Sequence, residues 1–286
     1  MVLEFDELVD RIYEAAAVPD LWASALSEIG RFGESVGALL FTFQGHECRY
    51  VASPELEHYV TKFLSEGWAA RNDRPTRLFS RPHTGFLTDL DVYTPDEIEA
   101  NQIFTQFLRS RGLGWGAATA ISVPSGEQIV VDVERAYERG PVPAQVVARL
   151  DPLCPHLARA ATLSTRLRLQ VVQTAADVLE LIGLPAAVLG RKGQALAMNQ
   201  SCQSLLGATA RDRRRFGFVD AAADCLLVDA LQGFAEPGLP GTQSIPIRAK
   251  EDAAHAVAHV LPVRRSTRDL FASASAVVII APLEPV

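Results

Sequence analysis

From Leu153 to Leu181, apolar or small residues return at alternating steps of four and three: Leu153, Leu157, Ala160, Ser164, Leu167, Val171, Thr174, Val178 and Leu181. Only a helix brings such positions onto one stripe, and a stripe of this period packs lengthwise along a partner helix. The chain is therefore divided by a long connecting helix, expected over residues 151–183. Its dimer-interface positions are read as Leu153, Leu157, Leu167, Val171, Val178 and Leu181. Pro155 lies inside the pattern, so the helix either kinks there or starts anew at that proline. The polar seam positions Ser164 and Thr174 suit a soft, switchable contact.

The segments on either side each mix strands and helices. In the first, residues 3–34 read as helix with a break near Pro19. Strands follow at Val36–Phe43 and Cys48–Ala52, then a helix at Pro54–Gly67. The Pro-, Arg- and Asp-rich stretch Asn72–Pro82 reads as loop. Thr94-Pro95-Asp96-Glu97 is a helix start, with an N-cap, an early proline and two acids. Ile98, Phe104, Phe107 and Leu108 form that helix's buried face. Two more strands, Gly116–Val123 and Gln128–Glu134, turn at Pro124–Gly126. The second segment has strands at Leu184–Leu189 and Gln194–Met198, helices at Asn199–Leu206 and Val219–Phe234, and strands at Gln243–Arg248, His255–Val263 and Ser275–Ala281. A polar loop is expected over 266–272. The fold class is α+β, in two domains of similar build, 1–150 and 184–286, each an antiparallel sheet with helices.

Composition narrows the function. The 286 residues suffice for two domains, and 48% hydrophobic content supplies packed cores. A net charge of −7 argues against a large nucleic-acid surface, and the basic run 211–215 is short. Four widely spaced cysteines suit neither a disulfide framework nor a zinc ribbon. With no signal peptide and no apolar run near the ~20 residues that span a bilayer, a cytoplasmic protein without membrane contact is expected.

The aromatic residues are unevenly placed: 17 of 21 precede residue 151, including Trp22, Trp68 and Trp115. Small-molecule pockets are mostly apolar and aromatic, so the first domain is the better candidate for one. Tyr59, Phe63 and Trp68 lead into Asn72 and Asp73, then Phe79 and Phe86. The candidate ligand-binding residues are Phe41, Phe43, Tyr59, Phe63, Trp68, Asp73, Phe86 and Trp115. Asp73 either accepts a hydrogen bond from a ligand, or caps a turn beside Asn72, or pairs with Arg74 or Arg77.

No metal site is expected: His46 and Cys48, two apart, could face one way, but Cys154 and His156 at the same spacing on a helix point to nearly opposite sides. No phosphate loop, serine elbow or H-E-x-x-H helix occurs, and Asp89, Asp91, Asp96, Glu97 and Glu99 read as loop and helix-start charges. His156 has no nearby nucleophile to serve and reads as structural. Two sensor-like domains around a dimerising helix suggest signalling. A partner-binding module without a small ligand, and less readily an enzyme, are the alternatives.

Three stretches carry a family likeness. "IYEAAAVPDLW" at Ile12–Trp22, followed by Val36–Phe43, resembles the N-terminus of bacterial LuxR-type transcriptional regulators. "DPLCPHLARAATLSTRL" at Asp151–Leu167 is similar to their central L-x-P-H-L-x-R-A segment. "PAAVLGRKGQALAMNQSCQSLL" at Pro185–Leu206 resembles the opening of a PAS-like domain. The resemblance implies a GAF-like sensor, a signalling helix, a PAS-like domain and a homodimer. It also implies DNA contact only through a C-terminal helix-turn-helix, which would be expected to begin where this chain ends at Val286. Tyr59–Pro75, "YVTKFLSEGWAARNDRP", is similar to the aromatic-plus-Asp stretch of acyl-homoserine-lactone receptors, with Tyr59 and Asp73 matching. Here the usual Asp-Pro is Asp73-Arg74-Pro75, so ligand identity does not carry over. The flavin-binding cysteine context of PAS domains is absent around Cys202, no histidine lies between His156 and His255, and no cofactor is expected.

Overall fold

The β-branched, nearly continuous apolar run Ile129–Val133, broken only by Asp132, gives the first unit its central strand, buried on both faces. The computed structural model describes residues 3–44, 47–122, 128–207, 209–212, 215–234, 241–248, 255–263 and 274–283. His46, the turn expected at 124–126 and the polar loop expected over 266–272 lie outside them. The chain separates into two compact units between Thr165 and Arg166. That division falls inside the long helix expected over residues 151–183. No helix among the described residues is long and apolar enough to cross a membrane.

In the first unit, α1 (Phe5–Ala17) and α2 (Trp22–Phe32) precede the hairpin β1 (Gly37–Gln44) and β2 (Glu47–Ala52). Then come α3 (Glu57–Ser65), α4 (Arg74–Phe79), β3 (Leu87–Thr88), α5 (Asp89–Val92) and α6 (Pro95–Ala100). A π-helical turn at Ile103–Leu108 leads to β4 (Leu113–Ser122), β5 (Gln128–Ala136) and α7 (Ala144–Leu150). The antiparallel sheet has the order β2-β1-β5-β4-β3, with β5 at its centre. Register decides which side chains share a face: Leu39 lies opposite Asp132, and Asp132 opposite Ala118. The other face, with Leu40 opposite Val131, packs under α2. Leu8, Ile12, Trp22, Leu26 and Ile29 are buried in the α1–α2 layer. Leu56, Val60, Ile98, Ile103, Phe104 and Phe107 form a separate core on the cavity side.

Two local readings change. Asn72–Pro82 is not all loop: Pro75 stands in the first turn of α4, where a proline costs nothing because that N–H has no helical partner. The helix begun at Thr94 is capped as expected, with Thr94 Oγ1 accepting from Glu97 N and Glu97 reaching back to Thr94 N. It breaks at Asn101, which is extended and accepts Ile103 N through its own Oδ1 at 2.9 Å.

The seam helix α8 runs Cys154–Leu181. Pro155 sits in its first turn, after a 3-10 turn at Asp151–Leu153, so the helix starts there. Gly183, with φ 74°, ends it: Leu184 N reaches back to Leu179 O at 2.9 Å. Leu153 and Leu157, read as dimer contacts, are 0% and 2% exposed inside the first unit and offer no surface to a second chain. Ser164 is buried too, donating to Ala16 O at 2.9 Å, so it closes a helix pair within the unit rather than softening an interface. Leu167 is half-buried. Val171, Val178 and Leu181 are 59%, 52% and 85% exposed, with Ile182 beside them.

The second unit contains β6 (Ala186–Gly190), β7 (Ala195–Met198), α9 (Gln200–Ser204), the small hairpin β8 (Ala210–Asp212) and β9 (Phe216–Phe218), and α10 (Ala221–Gly233). β10 (Gln243–Ile247), β11 (Ala256–Pro262) and β12 (Ala274–Pro282) complete it. Its antiparallel sheet runs β10-β11-β12-β6-β7. With only its own five strands numbered in chain order, each sheet has the strand order 2-1-5-4-3. Pro246 is tolerated because β10 is an edge strand. Phe216, Phe218, Leu227, Val260, Val278 and Ile280 fill the core. Asn199 is 2% exposed: Oδ1 accepts from Cys202 N and Ala186 N, while Nδ2 donates to Leu184 O and Ala176 O. That one amide ties α8, β6 and α9 together.

Candidate ligand-binding site

β1 and β5 turn Leu39, Phe41 and Val130 away from α2, toward the helices on the opposite side of the sheet. α3 contributes Tyr59, Val60 and Phe63; α4 brings Arg74, Pro75 and Leu78; the π-helical turn adds Ile103, Phe107 and Leu108. Between sheet and helices lies a cavity. It offers about 90 Å³ to the centres of water-sized spheres, and about 860 Å³ of empty space with its open mouth included. A single water needs only ~10–15 Å³ on the first measure, so the interior takes several heavy atoms.

Its wall is apolar except at one end. There Arg74 Nη1 donates to Glu134 Oε1 at 2.5 Å, and Nη2 stands 3.2 Å from Asp89 Oδ1. Asp132 Oδ2 lies 3.7 Å from Nη1, close enough for charge but too far for a hydrogen bond. Asp89 Oδ2 accepts Gly116 N at 2.5 Å. A methyl group at Gly116 would meet the Arg74 guanidinium and force it to shift from the acid cluster. Asn72 Oδ1 accepts Arg74 N at 3.1 Å and fixes the start of α4. Burial pushes the Asp89 carboxyl up to about 6 against the pull of Arg74. Burial raises Asp132 well above the carboxylate range, with Glu134 and Asp89 adding repulsion that Arg74 does not cancel. Asp132 Oδ1 and Glu134 Oε2 are buried and accept no hydrogen bond from any described residue.

Of the eight residues read as ligand-binding, Phe41, Tyr59 and Phe63 line this cavity. Phe43 lies against Phe41 and Phe79 outside the lining. Trp68 packs on Phe107 and donates to Glu66. Trp115 stacks on Tyr137 at 6.2 Å and donates to its carbonyl. Phe86 is buried away from the lining, its N–H held by Asp151. Asp73 is also outside: Oδ2 accepts Arg77 Nε at 2.7 Å and Oδ1 accepts Tyr93 Oη at 2.6 Å. Burial favours its protonated form, but those two hydrogen bonds outweigh it and hold the carboxyl below its usual range. The surface-pairing reading of Asp73 therefore stands, and the neighbouring Arg74 enters the cavity instead. His156 is a packing residue, edge-on to Phe5 and Tyr13.

From the sequence, Asp89 reads as a loop or helix-start charge and Arg74 only as a candidate partner of Asp73, whereas the structure buries both in this cluster; Asp132 and Glu134 were not singled out. A signal for those two exists: acids at alternate positions of an otherwise apolar central strand, "IVVDVE". Asp91, by contrast, is a helix-start charge, accepting Thr88 N.

No protein-family model and no curated protein matches the sequence. Among solved structures, the chain is similar to CepR2 of Burkholderia cenocepacia, an N-acylhomoserine-lactone-dependent LuxR family transcription factor. The identity is 14% over 54% of this chain and 91% of that one, with a TM-score of 0.41. It is similar to Escherichia coli SdiA at 11% identity over 63% of this chain and 84% of that one, TM-score 0.44. The VqsR LBD domain of Pseudomonas aeruginosa matches at 12% identity over 57% and 96%, TM-score 0.42. Likeness at this level assigns neither a ligand nor a role to this chain.

Proposed function

We propose that the first unit is a sensor for a small, partly apolar molecule, in the regulatory portion of a LuxR-type transcriptional regulator. One observation carries the reading: a largely apolar cavity with a single buried polar end, between β1, β5 and α3–α5. Pockets of this composition hold ligands by apolar contact and orient them by a few fixed polar groups. In this account the first unit is GAF-like, the second PAS-like, and two chains pair along the exposed C-terminal part of α8. The ligand acts by preferring one of two packings, since equal affinity for both would shift nothing.

The test is a thermal-shift screen of a metabolite panel on the full chain and on Ala118→Phe. Ala118 faces the cavity from β4, so a phenyl ring there occupies it. A ligand raising the melting temperature of the wild type by several degrees, but not that of a folded Ala118→Phe, is the expected result. Equal shifts in both would place binding elsewhere and overturn the reading.

The reading without a small ligand is favoured by one feature only, the exposed stripe Val171, Val178, Leu181 and Ile182. It differs in expecting no cavity-dependent binding, so the same screen separates the two.

A further inference from the structure

The polar end of the cavity sets three carboxylates, Asp89, Asp132 and Glu134, against the guanidinium of Arg74. The side chains of Asp132 and Glu134 are 91% and 95% buried, from side-chain exposures of 9% and 5%. Arg74 spends its hydrogen bonds on Glu134 Oε1 and its charge on Asp89, leaving Asp132 Oδ1 and Glu134 Oε2 without a donor among the described residues. Both orphan oxygens belong to residues two apart on β5, which share the face that lines the cavity. A buried carboxylate oxygen without a donor is strongly unfavourable, and a like-charged neighbour makes it more so.

We propose that the ligand of this cavity is an organic cation, with a protonated amine head between Asp132 and Glu134 and an apolar body against Phe41, Tyr59 and Phe63. The inference rests on the sensor reading above and specifies its ligand chemistry. An ammonium supplies donors to both orphan oxygens and offsets the excess negative charge, and such charge-assisted bonds are the strong ones. An alcohol supplies a donor but no charge. A carboxylate, or a head with acceptors only, meets bare carboxylate oxygens. Among the described residues no group of three ligating side chains is arranged for a metal ion.

The groups facing the head are Arg74 from α4, Asp89 from α5, and Asp132 and Glu134 from β5, with Asn72 and Thr88 also among the lining residues. Without a cation, the raised Asp132 carboxyl keeps a proton, which lowers the local charge and lets that carboxyl hydrogen-bond Glu134 in the cation's place. Binding of an ammonium then expels that proton. Affinity for the cation therefore rises with pH, by about tenfold per pH unit for one proton released.

The experiment is calorimetric titration of the full chain with n-hexylammonium, n-hexanol and n-hexanoate, three probes of one length and three head charges. Expected is hexylammonium at least about tenfold tighter than hexanol (~1.4 kcal/mol), with hexanoate weakest. Proton release should appear as a dependence of the heat on buffer. Glu134→Gln combined with Asp132→Asn, which keeps shape and removes charge, should abolish the preference while leaving hexanol binding intact. The wild-type series decides the matter even if that variant fails to fold. Hexanol or hexanoate binding as tightly as hexylammonium overturns the cation assignment and leaves the sensor reading standing. No binding by any probe overturns this assignment; if, in addition, no metabolite distinguishes wild type from Ala118→Phe, the sensor reading falls with it.

Discussion

Arg74 is placed where its loss would be felt most. It faces Asp89, Asp132 and Glu134 in a buried site, and removing one partner of such a cluster costs about 3–5 kcal/mol. Arg74→Ala is therefore expected to destabilise the first unit by that amount, measured by denaturant unfolding followed by tryptophan fluorescence; a loss under about 1 kcal/mol would contradict the account. Asp132→Asn should act in the opposite direction. It removes a carboxyl that makes no hydrogen bond to Arg74 and that burial forces to take up a proton on folding, and should stabilise the ligand-free chain by about 1–3 kcal/mol at pH 7.5 while weakening amine binding. A group serving only stability would destabilise when removed. The pH dependence follows the same logic. The Asp89 carboxyl, moved by burial from 3.8 to about 6, holds its proton more tightly folded than unfolded, so stability present in acid is lost as pH rises from about 4 to 6. The loss is on the order of 3 kcal/mol once pH exceeds both values. Asp73 and Glu55 are held low and work oppositely, their contribution disappearing only as pH falls below the ordinary carboxylate range. Melting temperature should accordingly be higher at pH 5 than at pH 7.5. A profile that rises over that interval would show that the acid cluster is not under the strain described.

At the scale of elements, α8 has two characters. Its N-terminal part is core, with Leu153, Leu157, Ala160 and Ser164 enclosed in the first unit. Leu157→Ala should cost about 2–5 kcal/mol, as a large-to-small change in a packed interior does. Its C-terminal part exposes Val171, Val178 and Leu181, so Val171→Glu with Val178→Glu should turn a dimer into a monomer in sedimentation without loss of melting temperature. An unchanged sedimentation coefficient would remove pairing along α8 from the account. The heptad period alone could not separate these halves, because it reports that a stripe is buried and not against what. Other elements were legible for local reasons. Thr94-Pro95-Asp96-Glu97 carries its own cap, and Asn199 carries both a cap and a lock on β6. Where the sequence was silent, the cause is long range. β3 is two residues long and exists only by pairing Leu87 and Thr88 with β4. The acid cluster draws on α4, α5 and β5, up to 60 residues apart, and no local pattern joins them. Of the residues that aromatic density pointed to, Phe41, Tyr59 and Phe63 line the cavity, while Trp68 and Trp115 pack outside its lining, because an aromatic side chain serves a core or a stacked surface as readily as a pocket.

For the molecule as a whole, the account places input in the first unit and passes it along a helix that both units share. All three tryptophans, Trp22, Trp68 and Trp115, lie in the first unit and report on it alone. Hydrogen exchange with saturating n-hexylammonium should slow amides in β1, β5, α4 and α5 and alter those of α8 between Arg166 and Leu181. Slowing confined to the second unit would reverse the proposed direction of signalling. Both sheets share one strand order, and they differ in what packs on them: in the first unit a cavity with an acidic end lies beside the sheet, and in the second a core is built around Phe216 and Phe218. The central claim is that the cavity of the first unit is a binding site with a preference for cations. A crystal structure of the full chain grown with n-hexylammonium tests it most directly. The account predicts density for the alkyl chain against Phe41, Tyr59 and Phe63, with its nitrogen within hydrogen-bonding distance of Asp132 and Glu134. A cavity collapsed onto its own side chains, or the ammonium bound only outside it, would contradict the claim.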